Sequence, residues 1–103
     1  MYWYLYIIYF FAGAFLANSI PHFISGIQGK RFQSPFASPP GKGLSSPTVN
    51  VLWGFVNFVI GYLLISSFGN FVYGLSIDSL MVGLGVLFVS LMSAKNFGKL
   101  NSK

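Results

Sequence analysis

The 103-residue chain carries one histidine, His22, one acidic residue, Asp78, and no cysteine. That inventory limits what a single copy can catalyse. It holds no carboxylate pair for acid–base work, and nothing to build a disulfide, a cysteine–metal site or an iron–sulfur cluster. General acid–base capacity near neutral pH would rest on His22 alone. One imidazole falls short of the roughly four ligands of a structural metal site. Bis-histidine haem ligation would need a second copy. No catalytic residue, metal ligand or cofactor is therefore assigned.

The polar residues that remain fall into a pattern. If a helix continues through Pro21, then Asn18, His22 and Ser25 share one face at i, i+4 and i+7. Pro21 frees the carbonyl of Ala17, which a neutral His22 could bond instead of a neighbouring helix. Further on, Asn50, Gly54, Asn57 and Gly61 follow spacings of four, three and four, a single helical stripe. Glycines let another backbone approach, and asparagines bond across the contact. Asn57 falls near a bilayer midplane, where an unpaired amide is costly. Asn18, His22, Asn50 and Asn57 form the candidate polar cluster. A packing seam is the plainer reading of it, and a polar substrate site the sharper one.

The elements that position these residues follow from composition. Charged residues are 7% of the chain and hydrophobic residues 54%, against about 25% charged in soluble domains. Such a surface cannot stay in water. A span of the hydrocarbon core needs about 20 apolar residues, and three stretches qualify: residues 2–20, 48–68 and 77–94. None shows the period-two alternation of barrel strands. The expected fold is all-α, a single polytopic membrane domain over residues 1–103 with three transmembrane helices. The first helix extends to residue 27 if it passes Pro21. The opening Met-Tyr-Trp-Tyr lacks the cationic segment of a signal peptide, so Tyr2, Trp3 and Tyr4 read as an interfacial belt on an uncleaved helix.

Charge sets the expected orientation. Lys30, Arg31 and Lys42 lie in the 28–46 connection, and Lys95, Lys99 and Lys103 in a basic tail over 95–103. The other side has no Lys or Arg and holds Asp78. Lys and Arg are retained on the cytoplasmic side, which places the N-terminus outside and the C-terminus in the cytoplasm of a multi-pass inner-membrane protein. The net charge of +5 would also suit nucleic acid, but no recognition module is present. The bilayer is the expected partner, with anionic phospholipid headgroups at Lys30, Arg31, Lys42, Ser45 and Ser46.

The connection itself contains Pro35, Pro39 and Pro40, which forbid regular helix. Phe32 and Phe36 beside the cations suggest a loop lying on the membrane surface with both rings dipped into the interface. A lid over a site between the helices is the alternative. Gly41-Lys42-Gly43 before helix 2 lacks the spacing of a P-loop. Ser46 and Pro47 instead read as N-cap and first helical residue. Helix 3 offers a stripe of Ser76, Ser79, Gly83, Val86, Ser90 and Ser93, and helix 1 offers Gly13 and Ala17. These suit a three-helix bundle or contacts between protomers.

Asn-Ser-Ile-Pro-His-Phe at 18–23, Ser-Pro-Phe-Ala-Ser-Pro-Pro-Gly at 34–41 and Leu-Ser-Ser-Pro at 44–47 carry a resemblance that covers residues 18–57. That stretch resembles small bacterial integral membrane proteins of uncharacterised function. The resemblance implies an inner-membrane location and no site residues. The expected role is that of a small membrane protein without catalytic machinery, a homo-oligomer or an accessory subunit of a larger complex. An oligomeric transporter or channel for a small solute is the alternative. In length the chain resembles the small multidrug transporters, but those have four spans and a membrane-embedded glutamate. A membrane enzyme relying on His22 comes third.

Overall fold

The computed structural model describes residues 2–101. Lys103, counted above in the charge split, lies outside them. Three helices account for most of the chain: α1 (Tyr4–Ile27), α2 (Pro47–Ser66) and α3 (Ile77–Asn101). Each is long and apolar enough to cross a membrane. Two short strands, β1 (Phe32–Gln33) and β2 (Leu44–Ser45), sit in the connection between α1 and α2.

The helix α1 does not stop at Pro21. Its two halves are held in line by contacts with α2 on both sides of the proline, at Asn18 and at His22. It ends at a glycine turn. Gly29 takes a φ of +72°, and the Gly29 and Lys30 amides donate to the carbonyls of Gly26 and Ser25. That pattern satisfies the last carbonyls of a helix. At the other boundary, Ser46 Oγ accepts the Val49 amide and Pro47 takes the first helical position, as expected of this cap. α3 runs further than its apolar stretch. The segment expected as a basic tail from residue 95 is helical through Asn101, because Lys, Ala and Leu favour helix and no proline interrupts. Lys99, in the last turn, also complements the helix dipole.

Packing is organised around α1. Both α2 and α3 lie along it and scarcely touch each other, so the arrangement is a row with α1 in the middle rather than a closed bundle. On the α2 side the buried residues are Asn50, Gly54, Asn57 and Gly61, the whole of the stripe. A Cβ at Gly54 would strike Phe23, one at Gly61 would strike Leu16, and one at Gly26 would strike the Pro47 carbonyl and Val51. These pairs run antiparallel along the seam. On the α3 side two glycines interlock. A Cβ at Gly13 would overlap the Val82 carbonyl, and one at Gly85 would overlap the Phe10 carbonyl.

The α3 face only partly follows the stripe read from the sequence: Val86 lies against Gly13, and Ser90 and Ser93 line a groove with Ala17 and Pro21, but the stripe's glycine does not take part. Gly83 meets open space, and Ser90 is exposed, whereas Asp78 and Gly85 are buried. Gly83 and Gly85 point to opposite sides of one helix. Backbone contact with Gly13 selects the second, and a stripe of small residues carries no information about that partner.

The connection also departs from expectation. β1 and β2 pair antiparallel, Phe32 with Ser45 and Gln33 with Leu44. Gln33, Ser34 and Ser45 are buried. Phe32 turns inward against the rings of His22 and Phe97, with centroids 5.2 and 4.9 Å away. Phe36 stays largely exposed yet sets its ring edge-on to Trp53. The segment packs over one end of the helices, with Phe32 turned toward them and Phe36 against Trp53. The ladder pairs the Gln33 backbone, and the Ser34 hydroxyl is satisfied locally by Ser45 and the Phe36 amide.

Candidate functional site

The cap and the helix ends enclose a polar cluster built around Asn50. Asn50 is fully buried one turn into α2. Its Nδ2 faces three carbonyls, those of Phe32 at 3.2 Å, Ser45 at 3.3 Å and Ser46 at 3.1 Å. Carbonyls only accept, so the amide nitrogen must be the atom on that side. The amide oxygen then faces His22 Nδ1 at 2.8 Å. An amide oxygen also only accepts, so Nδ1 carries the proton and donates. In the neutral ring this leaves the lone pair on Nε2. A single side chain thus ties α1, α2, β1 and β2 together and sets the tautomer of the only histidine.

The other two members of the cluster lie deeper. Asn18 Nδ2 donates to Asn57 Oδ1 at 3.0 Å, and Asn57 Nδ2 donates to the Trp53 carbonyl one turn back at 2.7 Å. The structure therefore brings Asn18 to Asn57 and His22 to Asn50, as two bonded pairs along the α1–α2 seam. His22 does not use the carbonyl that Pro21 frees; Asn50 is its hydrogen-bond partner.

A cavity of about 210 Å³ opens beside these pairs, walled by Asn18, His22, Gln33, Ser34, Trp53 and Phe97, among others. Trp53 Nε1 is buried without a hydrogen-bond partner among the described residues. Gln33, Ser34 and Trp53 were not candidates from the sequence. A Gln-Ser pair in a proline-rich connection reads as solvated, and a tryptophan in an apolar helix reads as lipid-facing.

The candidate lipid contacts divide. Lys30, Arg31 and Lys42 are exposed at this end. Ser45 is buried against Ser34, and Ser46 is occupied with its capping bond. Both serines therefore have internal partners.

At the opposite end a second polar spot involves Asp78, which is 2% exposed. Its Oδ2 accepts the Val72 amide at 2.8 Å, while Oδ1 has no partner among the described residues. The hydroxyl of buried Tyr9 is likewise unpartnered, and the two groups are close enough to interact electrostatically. Asp78 stood out in the sequence as the only acid, but nothing there linked it to Tyr9.

A groove of about 410 Å³ between α1 and α2 is lined by Ile20, Phe23, Ile24, Phe55 and Phe58 and faces outward. Among the described residues no three His, Cys, Asp or Glu side chains group as metal ligands. No protein-family model matches the chain, and no curated protein or solved structure does either.

Proposed function

We propose that this chain is a multi-pass inner-membrane protein, N-terminus outside and C-terminus cytoplasmic, that acts by association rather than by catalysis. It associates with further copies of itself or serves as an accessory subunit of a larger membrane complex. The observation that carries this reading is where the buried polar groups are spent. Asn18 goes to Asn57, His22 to Asn50, and Asn50 to the cap. These bonds hold helices and loop in place, while α2 and α3 keep Phe55, Phe58, Leu84 and Leu87 on outward faces. The charge distribution supports the orientation, with Lys30, Arg31, Lys42, Lys95 and Lys99 at the capped end and Asp78 at the other. Exposed cations at the capped end suit anionic headgroups.

The test is mass measurement of the full chain ejected from lipid nanodiscs prepared directly from membranes. Assemblies of more than one copy, or a partner chain in fixed ratio, are expected. A single chain alone at every loading would overturn the reading.

A further inference from the structure

The outward groove between α1 and α2 is suited to one kind of molecule. Ile20, Phe23, Ile24, Phe55 and Phe58 line its 410 Å³. The one hydroxyl in the lining, that of Ser19, already donates to the Leu16 carbonyl at 2.6 Å, so no side chain there is left to bond. The floor is fixed, because the α1 and α2 backbones meet at it: a Cβ on Gly54 would sit 2.7 Å from the Phe23 nitrogen. A preformed groove with no unmet polar side chain takes hydrocarbon.

Depth and charge say which hydrocarbon. Ile24 lies three residues before the end of α1, and Phe58 eleven residues after the start of α2. At about 1.5 Å per residue, the groove runs from about 5 to about 16 Å below those helix ends. The hydrocarbon of one leaflet is about 15 Å deep, so the groove spans the depth that an acyl chain occupies beneath its headgroup. At the same end, α1 turns directly into two cations. The Lys30 amide donates to the Ser25 carbonyl at 2.9 Å, and the Gln28 amide to the carbonyl of groove-lining Ile24 at 3.1 Å. The chain at Lys30 is therefore folded back onto the turn of α1 that forms the upper rim. Lys30 and Arg31 are both exposed, and the only acidic side chain, Asp78, begins α3 at the opposite end. A tail that moves from bilayer to groove gains packing alone, since lipid tails are as apolar as leucine. Selection among lipids then falls to the cations at the rim.

We propose that this groove holds one acyl chain of an anionic phospholipid from the surrounding leaflet, with the headgroup at Lys30 and Arg31. The assignment rests on the inner-membrane reading and deepens it by naming a lipid and its place. Copy number is read in the same spectra. A lone chain holding one such lipid would keep the groove and overturn association, and an assembly without the lipid would do the reverse.

In the experiment, the full chain in detergent is titrated with phosphatidylglycerol or phosphatidylcholine of matched acyl chains, and bound lipid is counted by native mass measurement. One phosphatidylglycerol per chain is expected at saturation, with phosphatidylcholine at least about tenfold weaker. Each cation near an anionic group contributes about fivefold in affinity, so K30Q/R31Q should weaken phosphatidylglycerol by roughly 20-fold. K42Q/K95Q removes the same charge elsewhere at this end and should cost less than about threefold. I24W and F55W fill the groove from either helix and should each weaken phosphatidylglycerol by about fivefold or more, as overpacking does. L91W, on the outer face of α3, should leave binding unchanged. All the substituted side chains are exposed, so none of these changes touches the core. Equal binding of the two lipids, equal losses in the two cation pairs, or full binding in both I24W and F55W would overturn the proposal. A fall in copy number in those two tryptophan variants, with lipid binding unchanged, would give the groove to a second copy of the chain instead.

Discussion

His22 Nδ1 donates to Asn50 Oδ1 across 2.8 Å, and the three carbonyls around Asn50 Nδ2 allow neither group to be turned over. The bond therefore transmits position. Whatever moves the 32–45 ladder moves the Asn50 amide, and with it the proton on the imidazole. Four hydrogen bonds converge on one buried side chain, and in a low-dielectric surrounding each is costly to leave unmade.

The first prediction tests that polarity. Asn50→Asp is nearly isosteric, yet it puts an acceptor against the carbonyls of Phe32, Ser45 and Ser46. It should destabilise by about 2–4 kcal/mol, as much as Asn50→Leu. Trypsin should then cut faster at Lys30, Arg31 or Lys42 as the cap loosens. His22→Gln, which keeps a donor for Asn50 Oδ1, should stay near wild type, and His22→Leu should not. Thermal unfolding in one detergent compares all four. An Asp variant as stable as wild type would mean that the three carbonyls do not depend on a donor from residue 50.

The second prediction concerns the α1–α3 contact. Gly13→Leu and Gly85→Leu each force the two backbones apart where a Cβ already collides with a carbonyl. Overpacking of this kind costs about 1–3 kcal/mol or more. Gly83→Leu meets nothing within contact range and should leave the melting temperature unchanged. If Gly83→Leu is the damaging variant, α3 is rotated from the face described above.

These two cases show what was legible in the sequence. The α2 stripe was, because between Val49 and Ile65 the only small or strongly polar residues are Asn50, Gly54, Asn57 and Gly61, and a membrane interior leaves polar groups nowhere else to go. The sequence leaves the partner of His22 open between a neighbouring helix and the carbonyl freed by Pro21. The α3 face was legible only in part, because Gly and Ser occur on more than one side of that helix and only the position of Gly13 decides between them. The inward cap was hidden for a different reason. Pro35, Pro39, Pro40 and three glycines mark the segment as non-helical, but the ladder that buries Gln33 and Ser34 is two residues per strand, too short to show a period.

The third prediction addresses orientation. The native chain has no cysteine, so single cysteines report without background. Ser67→Cys and Asn70→Cys sit exposed in the α2–α3 connection, and Ser38→Cys sits exposed in the cap. A membrane-impermeant maleimide added to intact cells should label the first two and spare the third until the membrane is opened. The opposite pattern would reverse the topology argued from Lys30, Arg31, Lys42, Lys95 and Lys99.

The last prediction weighs the deeper pair, Asn18 and Asn57. Their single hydrogen bond joins α1 to α2 within one chain, so its loss should be felt as helix packing before any loss of assembly. Interhelical bonds of this type couple by about 0.6 kcal/mol on average and up to about 1.7. Asn57→Leu removes the acceptor, leaves Asn18 Nδ2 unmet and sets bulk against the α1 backbone next to Gly54 and Gly61. Asn18→Leu alone is milder, because Asn57 keeps its bond to the Trp53 carbonyl. A double-mutant cycle on unfolding free energy should give a coupling near 1 kcal/mol. Copy number in nanodiscs should be unchanged by Asn18→Leu. If coupling is absent while copy number falls, the two asparagines bond across protomers instead, and the seam they mark is an interface between copies of this chain.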